Sequence, residues 1–346
     1  MNTRAYAAMA SKAKLVPFEF DRRDVGPHDV AFDISYAGIC HSDIHQAREE
    51  WGPAIFPMVP GHEIAGIVTA IGSSVSKFMV GDRIGVGVFV DSCRVCENCK
   101  AGLQQYCLEG MTGTYNQLER DGKTVAMGGY SNYFVVNEDY AVTIPANLPL
   151  EGVAPLLCAG ITLYSPIKHW GVGPGKKVAV MGLGGLGHMG VKFAAAMGAD
   201  VTVLSHSPAK EADARAMGAH SFIATNDDAV FAKHTKSFDV ILNTVSAEVN
   251  IDHYLNLLKL DGTLVVIGLP GKPYAVNAGT LLNGRRSIGG SMIGGMPELQ
   301  EMINFCGEKN IVSDVEVIKA DYINEAYERT VASDVKYRFV IDASTI

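Results

Sequence analysis

A glycine-rich turn between an apolar strand and a helix constrains this chain more than any other feature. The segment Gly182-Leu183-Gly184-Gly185-Leu186-Gly187 follows an apolar run at 176–181 and precedes a predicted helix at 189–197. A GxGxxG string alone is weak evidence, but between a strand and a helix it is typical of a dinucleotide-binding fold. Its glycines permit a tight turn, close approach of a pyrophosphate, and close packing of helix on strand. An ordinary glycine-rich turn in an α/β domain is the alternative.

The patterns on either side of this turn predict two regions of different class. Residues 151–289 alternate buried strands with helices, which is typical of a doubly wound parallel sheet. Residues 1–150 contain short alternating runs broken by Gly, Pro and Asp, which predicts a mostly β domain. Residues 290–346 are expected to return to that first domain and complete it. The predicted fold class is therefore α/β, with two domains.

Most of the predicted elements are short. The patterns predict strands at 30–34, 64–71, 141–144, 176–181, 201–204, 221–223, 238–242, 264–267, 315–318 and 337–342. They predict helices at 189–197, 208–217, 298–308 and 324–331.

The end of the second strand in the parallel sheet should distinguish the two nicotinamide cofactors. NAD-binding proteins usually place Asp or Glu there, against the ribose 2′-hydroxyl. This chain has Ser205, His206 and Ser207, with Lys210 close behind, whereas Asp200 lies at the opposite end of the strand. A carboxylate would repel a 2′-phosphate, while hydroxyl groups and a lysine would bind it, so we expect NADP(H). The alternative is that these residues only cap a helix.

The charge and patterning of the chain argue against several classes of partner. There are 29 Lys plus Arg against 37 Asp plus Glu, a formal net charge of −8, which disfavours nucleic acid and anionic membranes. No apolar run reaches the roughly 18 residues that a membrane span requires. The N-terminal segment lacks a signal-peptide pattern, so we expect a cytoplasmic protein with reduced thiols.

Four of the seven cysteines lie close together. Cys93, Cys96, Cys99 and Cys107 fall within one short segment, and clustered reduced thiols usually bind metal. Four thiolates fill the coordination of a tetrahedral zinc ion, so this site is predicted to be structural. The alternatives are an iron–sulfur cluster, whose usual cysteine spacings differ from this one, and free buried thiols.

Further residues of metal-ligating type are spread over three distant segments. They are Cys40 with Asp43, His62 with Glu63, and Cys158. Spacing alone does not join these segments. Taken singly, each residue could equally be a buried thiol, a core histidine or a surface charge.

Taken together, these features resemble one protein family. Over essentially its whole length the chain is similar to the zinc-dependent medium-chain alcohol dehydrogenases, and within them to the cinnamyl alcohol dehydrogenase-like branch. The resemblance is carried by the glycine turn, the four-cysteine segment, Cys40-His41-Ser42-Asp43, Gly61-His62-Glu63 and Cys158-Ala159-Gly160-Ile161-Thr162. It implies a GroES-like catalytic domain, a Rossmann cofactor domain, two zinc ions per subunit and a homodimer.

The resemblance implies a catalytic zinc held by residues far apart in the sequence. Cys40, His62 and Cys158 would bind this ion and leave the fourth position for water or substrate. Glu63 matches an alternate ligand of the family. Asp43 matches a carboxylate that orients the imidazole of His62.

The resemblance also implies residues close to the substrate and the cofactor. Ser42, the cofactor ribose and His45 would form a proton relay between the substrate oxygen and solvent. His41 and Arg338 match positions that contact the cofactor phosphates, and Thr162 matches one near the nicotinamide. The alternatives are a turn cap for Ser42, a solvated helix residue for His45 and a surface charge for Arg338.

The implied function is hydride transfer between NADP(H) and a primary alcohol or aldehyde, aromatic or medium-chain aliphatic, acting mainly as an aldehyde reductase. Trp51, Phe56, Met292 and Ile293 could line an apolar substrate pocket or belong to the core. Residues 291–295 are a candidate edge strand for a dimer. The first alternative is a polyol or formaldehyde dehydrogenase of the same superfamily. The second is a non-catalytic redox or zinc sensor that binds NADP.

Overall fold

The chain folds into two compact units. The structure, a computed structural model, describes all residues from Met1 to Ile346. Unit 1 comprises Met1–Ile161 and Gly294–Ile346, and unit 2 comprises Thr162–Ile293. The domain boundaries predicted from the sequence lie after residues 150 and 289, whereas the two units divide after Ile161 and after Ile293.

The elements are numbered in chain order. The strands are β1 (Asn2–Ala8), β2 (Leu15–Asp21), β3 (Asp29–Gly38), β4 (Ile64–Ile71), β5 (Arg83–Val86), β6 (Phe89–Asp91), β7 (Thr112–Gly113), β8 (Tyr133–Asn137), β9 (Val142–Thr143), β10 (Lys177–Met181), β11 (Asp200–Ser205), β12 (Ser221–Ala224), β13 (Phe238–Asn243), β14 (Leu258–Val266), β15 (Ser287–Gly290), β16 (Val315–Ile318) and β17 (Arg338–Asp342). The helices are α1 (His41–Ala47), α2 (Glu97–Lys100), α3 (Leu150–Val153), α4 (Ala159–His169), α5 (Gly187–Ala196), α6 (Glu211–Ala216), α7 (Ala229–Lys233), α8 (Ile251–Leu255), α9 (Ala278–Leu282), α10 (Met296–Lys309) and α11 (Ile323–Val331).

Unit 1 is organised around a seven-stranded sheet. Its strands follow the order β16-β17-β3-β4-β5-β9, and β8 pairs with β3 beside this path. β17 lies antiparallel to β3, so the C-terminal segment joins the sheet formed by the first part of the chain. The antiparallel register pairs Ala37 with Ile64, which brings the end of β3 next to the start of β4. Residues just after β3 and just before β4 therefore lie at the same edge of the sheet.

Unit 2 contains a six-stranded, fully parallel sheet. Its order is β12-β11-β10-β13-β14-β15. Counted from β10, this order is 3-2-1-4-5-6, which is the order of the Rossmann fold. The order reverses between β10 and β13, where ligands bind in such sheets. The glycine turn directly follows β10, so it lies at this point.

Most predicted elements are present, with two corrections. β14 begins at Leu258, well before the predicted start at 264, because its first residues carry the charges of Lys259 and Asp261 and do not look like a buried strand. Residues 291–295 do not form a strand, and the sheet edge is instead β15. No single helix is long and apolar enough to cross a membrane; only the interrupted pair Leu150–Leu157 and Ala159–His169 reaches that length and composition together.

Candidate active site and metal centres

Four buried residues from three segments of unit 1 converge on one point. Cys40 lies between β3 and α1, His62 and Glu63 precede β4, and Cys158 precedes α4. Their ligand atoms all lie within 4.8 Å of one another. The pairing of β3 with β4 explains why the first two segments meet, since Gly38 N–H donates to the Glu63 carbonyl at 2.8 Å. The structure thus brings together the group that spacing could not join.

The donor set of this cluster fits a zinc ion. Nε2 of His62 and Oε2 of Glu63 are buried and have no hydrogen-bond partner. Buried polar atoms are normally paired, so these unpaired atoms indicate a missing ligand. Two cysteines and one histidine match the Cys₂His set of zinc dehydrogenases, which leaves a fourth position open.

The electrostatics of the cluster favour a thiolate. A hydrogen bond from Cys158 lowers the pKa of Cys40 well below its usual value, and the Arg338 guanidinium acts in the same direction. The pKa of Cys158 is raised because it shares its proton with Cys40. Burial raises the pKa of Glu63 to about 7, although Arg338 acts to lower it. A cation bound here would displace the shared proton, since metal ligation requires thiolates.

Asp43 fixes the imidazole of His62. Its Oδ1 lies 3.0 Å from Nδ1 of His62, and the same oxygen accepts a hydrogen bond from Gly61 N–H at 3.2 Å. Its Oδ2 accepts from Cys40 N–H at 2.9 Å and from the Tyr130 hydroxyl at 3.0 Å. Because Nδ1 donates to the Asp43 carboxylate, Nε2 is the ring nitrogen left to bind a metal.

Glu63 forms an ion pair with Arg338 at the centre of unit 1. Nη2 of Arg338 contacts Oε1 of Glu63, and Arg338 is only 4% exposed, so the interpretation of this arginine as a surface charge is wrong. A Cβ atom on Gly38 would lie 2.1 Å from Oε2 of Glu63. The absence of a side chain at Gly38 therefore makes room for the Glu63 carboxylate.

The four-cysteine lobe, residues 93–107 of unit 1, forms a second cluster. The Sγ atoms of Cys93, Cys96, Cys99 and Cys107 all lie within 4.8 Å of one another. Sulfur atoms bound at about 2.3 Å to one tetrahedral ion lie about 3.8 Å apart, and the Cys93 and Cys99 sulfurs are 3.8 Å apart. A multi-iron cluster would bind its thiolates to different irons, so this spacing favours a single ion.

Backbone N–H groups of the same loop donate hydrogen bonds to the sulfurs of this lobe. Backbone N–H groups of Cys93, Cys96 and Cys99 donate to the sulfurs of Cys107, Cys93 and Cys96 at 3.3–3.5 Å. The backbone N–H groups of Leu108 and Cys99 lower the pKa of Cys96 to about 6. Burial raises the pKa of Cys99 to about 11, so a cation would be needed to hold all four sulfurs as thiolates, and four sulfur ligands fit a closed structural site.

The proposed relay residues lie on α1, which begins directly after Cys40. The Ser42 hydroxyl lies 3.5 Å from the Cys40 sulfur. Nδ1 of His45 lies 2.5 Å from Oε2 of Glu50, and its ring stacks on Trp51 with the centroids 4.8 Å apart. Glu50 therefore holds one ring nitrogen of His45 and leaves Nε2 available. His41 is exposed at the start of the same helix.

The glycine turn of unit 2 has the geometry of a dinucleotide site. Gly182 has a φ of +90°, and a Cβ on Gly187 would lie 2.0 Å from the Gly182 carbonyl oxygen. A Cβ on Gly184 would meet no atom within 4 Å, so the backbone there faces open space. Gly185 and Leu186 complete the turn, and α5 starts at Gly187, so the positive end of the helix dipole lies at this turn. These features fit the three roles of the glycines in NADP(H) binding.

The residues expected at the 2′-phosphate lie beside this turn. Ser205 is buried at the end of β11, and its hydroxyl accepts a hydrogen bond from Ser207 N–H at 3.3 Å. Lys210 Nζ donates to the Leu183 carbonyl of the glycine turn at 2.8 Å. His206 is exposed between the two serines. The four residues thus lie at the same end of the sheet as the turn.

Other site residues were missed or stay untested. No sequence pattern indicates Tyr130, which is 87 residues from Asp43, or Tyr115, whose ring stacks on His62 with the centroids 5.8 Å apart. Glu50 could have been found, because it lies five residues after His45, just beyond the end of α1. The Thr162 hydroxyl is buried in unit 2 without a hydrogen-bond partner, which suits a ligand contact.

Two family models match the chain. Residues 26–146 match the alcohol dehydrogenase GroES-like domain, and residues 185–308 match the zinc-binding dehydrogenase domain. The first match includes Cys40, His62, Glu63 and the four-cysteine lobe. The second begins within the glycine turn.

Several known proteins resemble the chain over its whole length. The NADP-dependent alcohol dehydrogenase C 1 of Mycolicibacterium smegmatis is 60% identical, over 99% of this chain and 98% of that protein. A cinnamyl alcohol dehydrogenase structure from Sorghum bicolor has a TM-score of 0.96 at 43% identity, covering 99% of this chain and 98% of that one. The structure of cinnamyl alcohol dehydrogenase from Helicobacter pylori complexed with NADP(H) has a TM-score of 0.93 at 42% identity, covering 99% of both chains. The chain therefore belongs to the zinc-dependent medium-chain alcohol dehydrogenases, in the cinnamyl alcohol dehydrogenase-like branch, and is an oxidoreductase with the predicted GroES-like and Rossmann folds.

Proposed function

We propose that this chain is an NADP(H)-dependent alcohol dehydrogenase and aldehyde reductase whose catalytic zinc is held by Cys40, His62 and Cys158. The observation that carries the proposal is the buried convergence of these three residues with Glu63, together with the unpaired Nε2 of His62. The similarity to NADP-dependent alcohol dehydrogenases supports the same activity and cofactor independently.

The residues of the chain prepare this site for hydride transfer. When bound, the zinc ion would polarise the substrate oxygen as a Lewis acid, and the nicotinamide would give or accept the hydride. Asp43 holds the Nδ1 hydrogen of His62 and so keeps Nε2 aimed at the cluster. Glu63 keeps a carboxylate beside the ligands while its other oxygen meets Arg338, in keeping with an alternate-ligand role.

A proton has to travel between the buried substrate oxygen and solvent. Ser42 lies beside Cys40 and would accept or donate this proton through its hydroxyl group. His45 would carry it onward, because Glu50 holds Nδ1 and leaves Nε2 free to exchange. The partly exposed position of His45 suits the outer end of such a relay.

The cofactor would bind to two sets of residues predicted from the sequence, one for the pyrophosphate and one for the 2′-phosphate. The glycine turn and the start of α5 would hold the pyrophosphate, while Ser205, Ser207 and Lys210 would hold the 2′-phosphate, with His206 beside them. His41 and Arg338 are proposed as further phosphate contacts, and Thr162 as a contact near the nicotinamide.

The four-cysteine lobe would hold the second zinc ion of each subunit through Cys93, Cys96, Cys99 and Cys107. We propose a cytoplasmic homodimer that acts on aromatic or medium-chain aliphatic aldehydes and has no nucleic acid or membrane partner. The acidic net charge of −8 supports the last point. Trp51, which is 47% exposed, and the half-buried Phe56 supply apolar surface near α1 for such a substrate.

A substrate panel tests this function. Purified enzyme is assayed with NADPH and NADH for reduction of an aromatic and a medium-chain aldehyde, and with NADP+ and NAD+ for oxidation of formaldehyde and a polyol. We expect NADPH-dependent reduction of the aromatic aldehyde, which is abolished in Cys158→Ala. Preference for formaldehyde or the polyol would reassign the substrate, and absence of all turnover would support a sensor. Full activity in Cys158→Ala would overturn the proposed zinc site.

A further inference from the structure

We propose that Tyr130 is a positioning residue for His62 and acts through Asp43. The hydrogen-bonded series Tyr130–Asp43–His62 would then set how tightly the catalytic metal is held. This inference rests on the proposed function, because it takes His62 as a ligand of that metal. It concerns a residue that neither spacing nor the family resemblance indicated.

Asp43 uses both carboxylate oxygens fully in this arrangement. The His62 imidazole and Gly61 N–H meet Oδ1 at 3.0 and 3.2 Å, and Cys40 N–H and the Tyr130 hydroxyl meet Oδ2 at 2.9 and 3.0 Å. A carboxylate has about four lone-pair sites, so four donors satisfy it. Asp43 and Tyr130 are both 0% exposed, so water does not reach either group to substitute for a lost donor.

Among side chains, only the Tyr130 hydroxyl lies within hydrogen-bond distance of Oδ2, while the buried Tyr115 hydroxyl interacts with Asp43 without reaching that distance. Cys40 N–H lies on the other segment of the cluster and cannot by itself fix the rotation of the carboxylate plane. Loss of the hydroxyl would leave Asp43 with three donors, of which His62 is the only side chain, so the carboxylate plane could turn and take the His62 ring with it. In a low-dielectric interior, hydrogen bonds in a series strengthen one another, so loss of the Tyr130 hydroxyl would also weaken the bond between Asp43 and His62.

The rest of Tyr130 is held independently of its hydroxyl group. Its backbone N–H donates to the Pro60 carbonyl at 2.9 Å, beside the segment that carries His62. A Cβ atom on Gly61 would lie 2.6 Å from Cδ1 of Tyr130, so the ring packs directly on this segment. Tyr130→Phe would therefore keep the ring and the backbone contacts and remove the donor to Asp43, together with the interaction between the hydroxyl groups of Tyr130 and Tyr327.

Metal release from the full-length, zinc-loaded chain provides the test. Release to a colorimetric chelator is followed together with loss of activity, which identifies the phase that belongs to the catalytic metal. Changes to groups that orient metal ligands typically cost 10–100-fold in metal affinity. Tyr130 acts one step beyond Asp43, so we expect about tenfold faster release of the catalytic metal in Tyr130→Phe, with release from the four-cysteine lobe unchanged. The visible spectrum of the cobalt-substituted catalytic site should change as well.

A matched control separates this role from simple loss of a buried hydroxyl. Tyr254 is buried in unit 2, where its ring packs against Phe231 at 5.0 Å, and it does not touch either metal cluster. Tyr254→Phe should leave both release phases and the cobalt spectrum unchanged. Faster release of both metals in Tyr130→Phe would indicate general destabilisation and overturn the inference, as would wild-type release with an unaltered cobalt spectrum.

The path through Asp43 has its own test. In an Asp43→Asn background, Tyr130→Phe should have no further effect on release, because the carboxylate that links the two residues is gone. Additive effects would contradict the series. If Tyr130→Phe does not fold, Asp43→Asn alone remains informative, since unchanged metal release in it would break the central link. A wild-type chain that holds metal only in the four-cysteine lobe would instead contradict the proposed function itself.

Discussion

The two metal clusters of unit 1 are built in opposite ways. The four cysteines of the lobe lie within residues 93–107, and two of them are partly exposed. Cys40, His62 and Cys158 come from three separate segments, and all of them are buried. The lobe satisfies its sulfurs with backbone N–H groups of the same loop, whereas the catalytic cluster depends on Asp43 and Arg338.

This difference separates a stabilising site from a reactive one. A closed set of four sulfurs leaves no position for a substrate, so the lobe can contribute to folding but not to catalysis. In the proposed function the catalytic cluster would hold its ion through Cys40, His62 and Cys158, and a glutamate paired with Arg338 would leave the fourth position to substrate. Building that cluster from distant segments also places it at the edge of the sheet, next to the relay residues of α1.

The largest expected effect is loss of the catalytic ligand set. Cys158→Ala should lower kcat/KM about 1,000-fold or more, because a Lewis acid contributes several kcal/mol to transition-state stabilisation and each 1.36 kcal/mol is tenfold. Metal analysis should show that only the lobe ion remains. Cys306→Ala is the matched control: burial raises the pKa of Cys306 to about 12, and it lies outside both clusters. Equal activity loss in both variants would show that loss of any buried thiol inactivates the enzyme and would contradict the ligand role of Cys158.

The predicted cofactor site resembles the four-cysteine lobe in being built from residues that are close together in the sequence. Ser205→Asp should lower kcat/KM with NADPH about 10- to 100-fold, since a hydrogen bond to a charged group contributes roughly 1.5–3 kcal/mol. The preference should move toward NADH, measured as the ratio of the two kcat/KM values. Ser221→Asp places the same charge at the start of β12, at the opposite end of the sheet, and should leave the ratio unchanged. An unaltered ratio in Ser205→Asp would refute the 2′-phosphate assignment.

A change in the lobe should affect stability and spare the chemistry. Cys99→Ser is expected to reduce bound zinc by one ion and to make thermal inactivation about tenfold faster, because binding of a structural ion contributes folding free energy. The kcat/KM of the remaining folded enzyme should stay within about twofold of the wild-type value. A drop in kcat/KM comparable to that of Cys158→Ala would show that the lobe takes part in the reaction.

The smallest expected effect concerns the relay. His45→Asn should lower kcat a few-fold, below the roughly 100- to 10,000-fold contribution of groups that act directly, because water can replace a partly exposed histidine. Added imidazole should restore part of the rate. His253→Asn changes a partly exposed histidine of unit 2 in the same way and provides the control. A wild-type kcat in His45→Asn would exclude this residue from proton transfer.

Sequence reasoning succeeded where the determining residues are neighbours. The glycine turn, the four-cysteine lobe and the strands around them depend on short-range patterns, and the structure has them in place. The catalytic trio was reached only through the family resemblance, since no local pattern joins residues 40, 62 and 158. Contacts between distant residues were not predictable: Glu63 meets Arg338 across 275 residues, and Asp43 meets Tyr130 across 87.

Zinc-edge anomalous diffraction from crystals of the full-length enzyme tests the account most directly. We predict two anomalous peaks per chain, one among the four sulfurs of the lobe and one between Cys40, His62 and Cys158. In Cys158→Ala crystals the second peak should disappear and the first should remain. A wild-type crystal with a peak only in the lobe, while the enzyme still reduces aldehydes, would contradict the account.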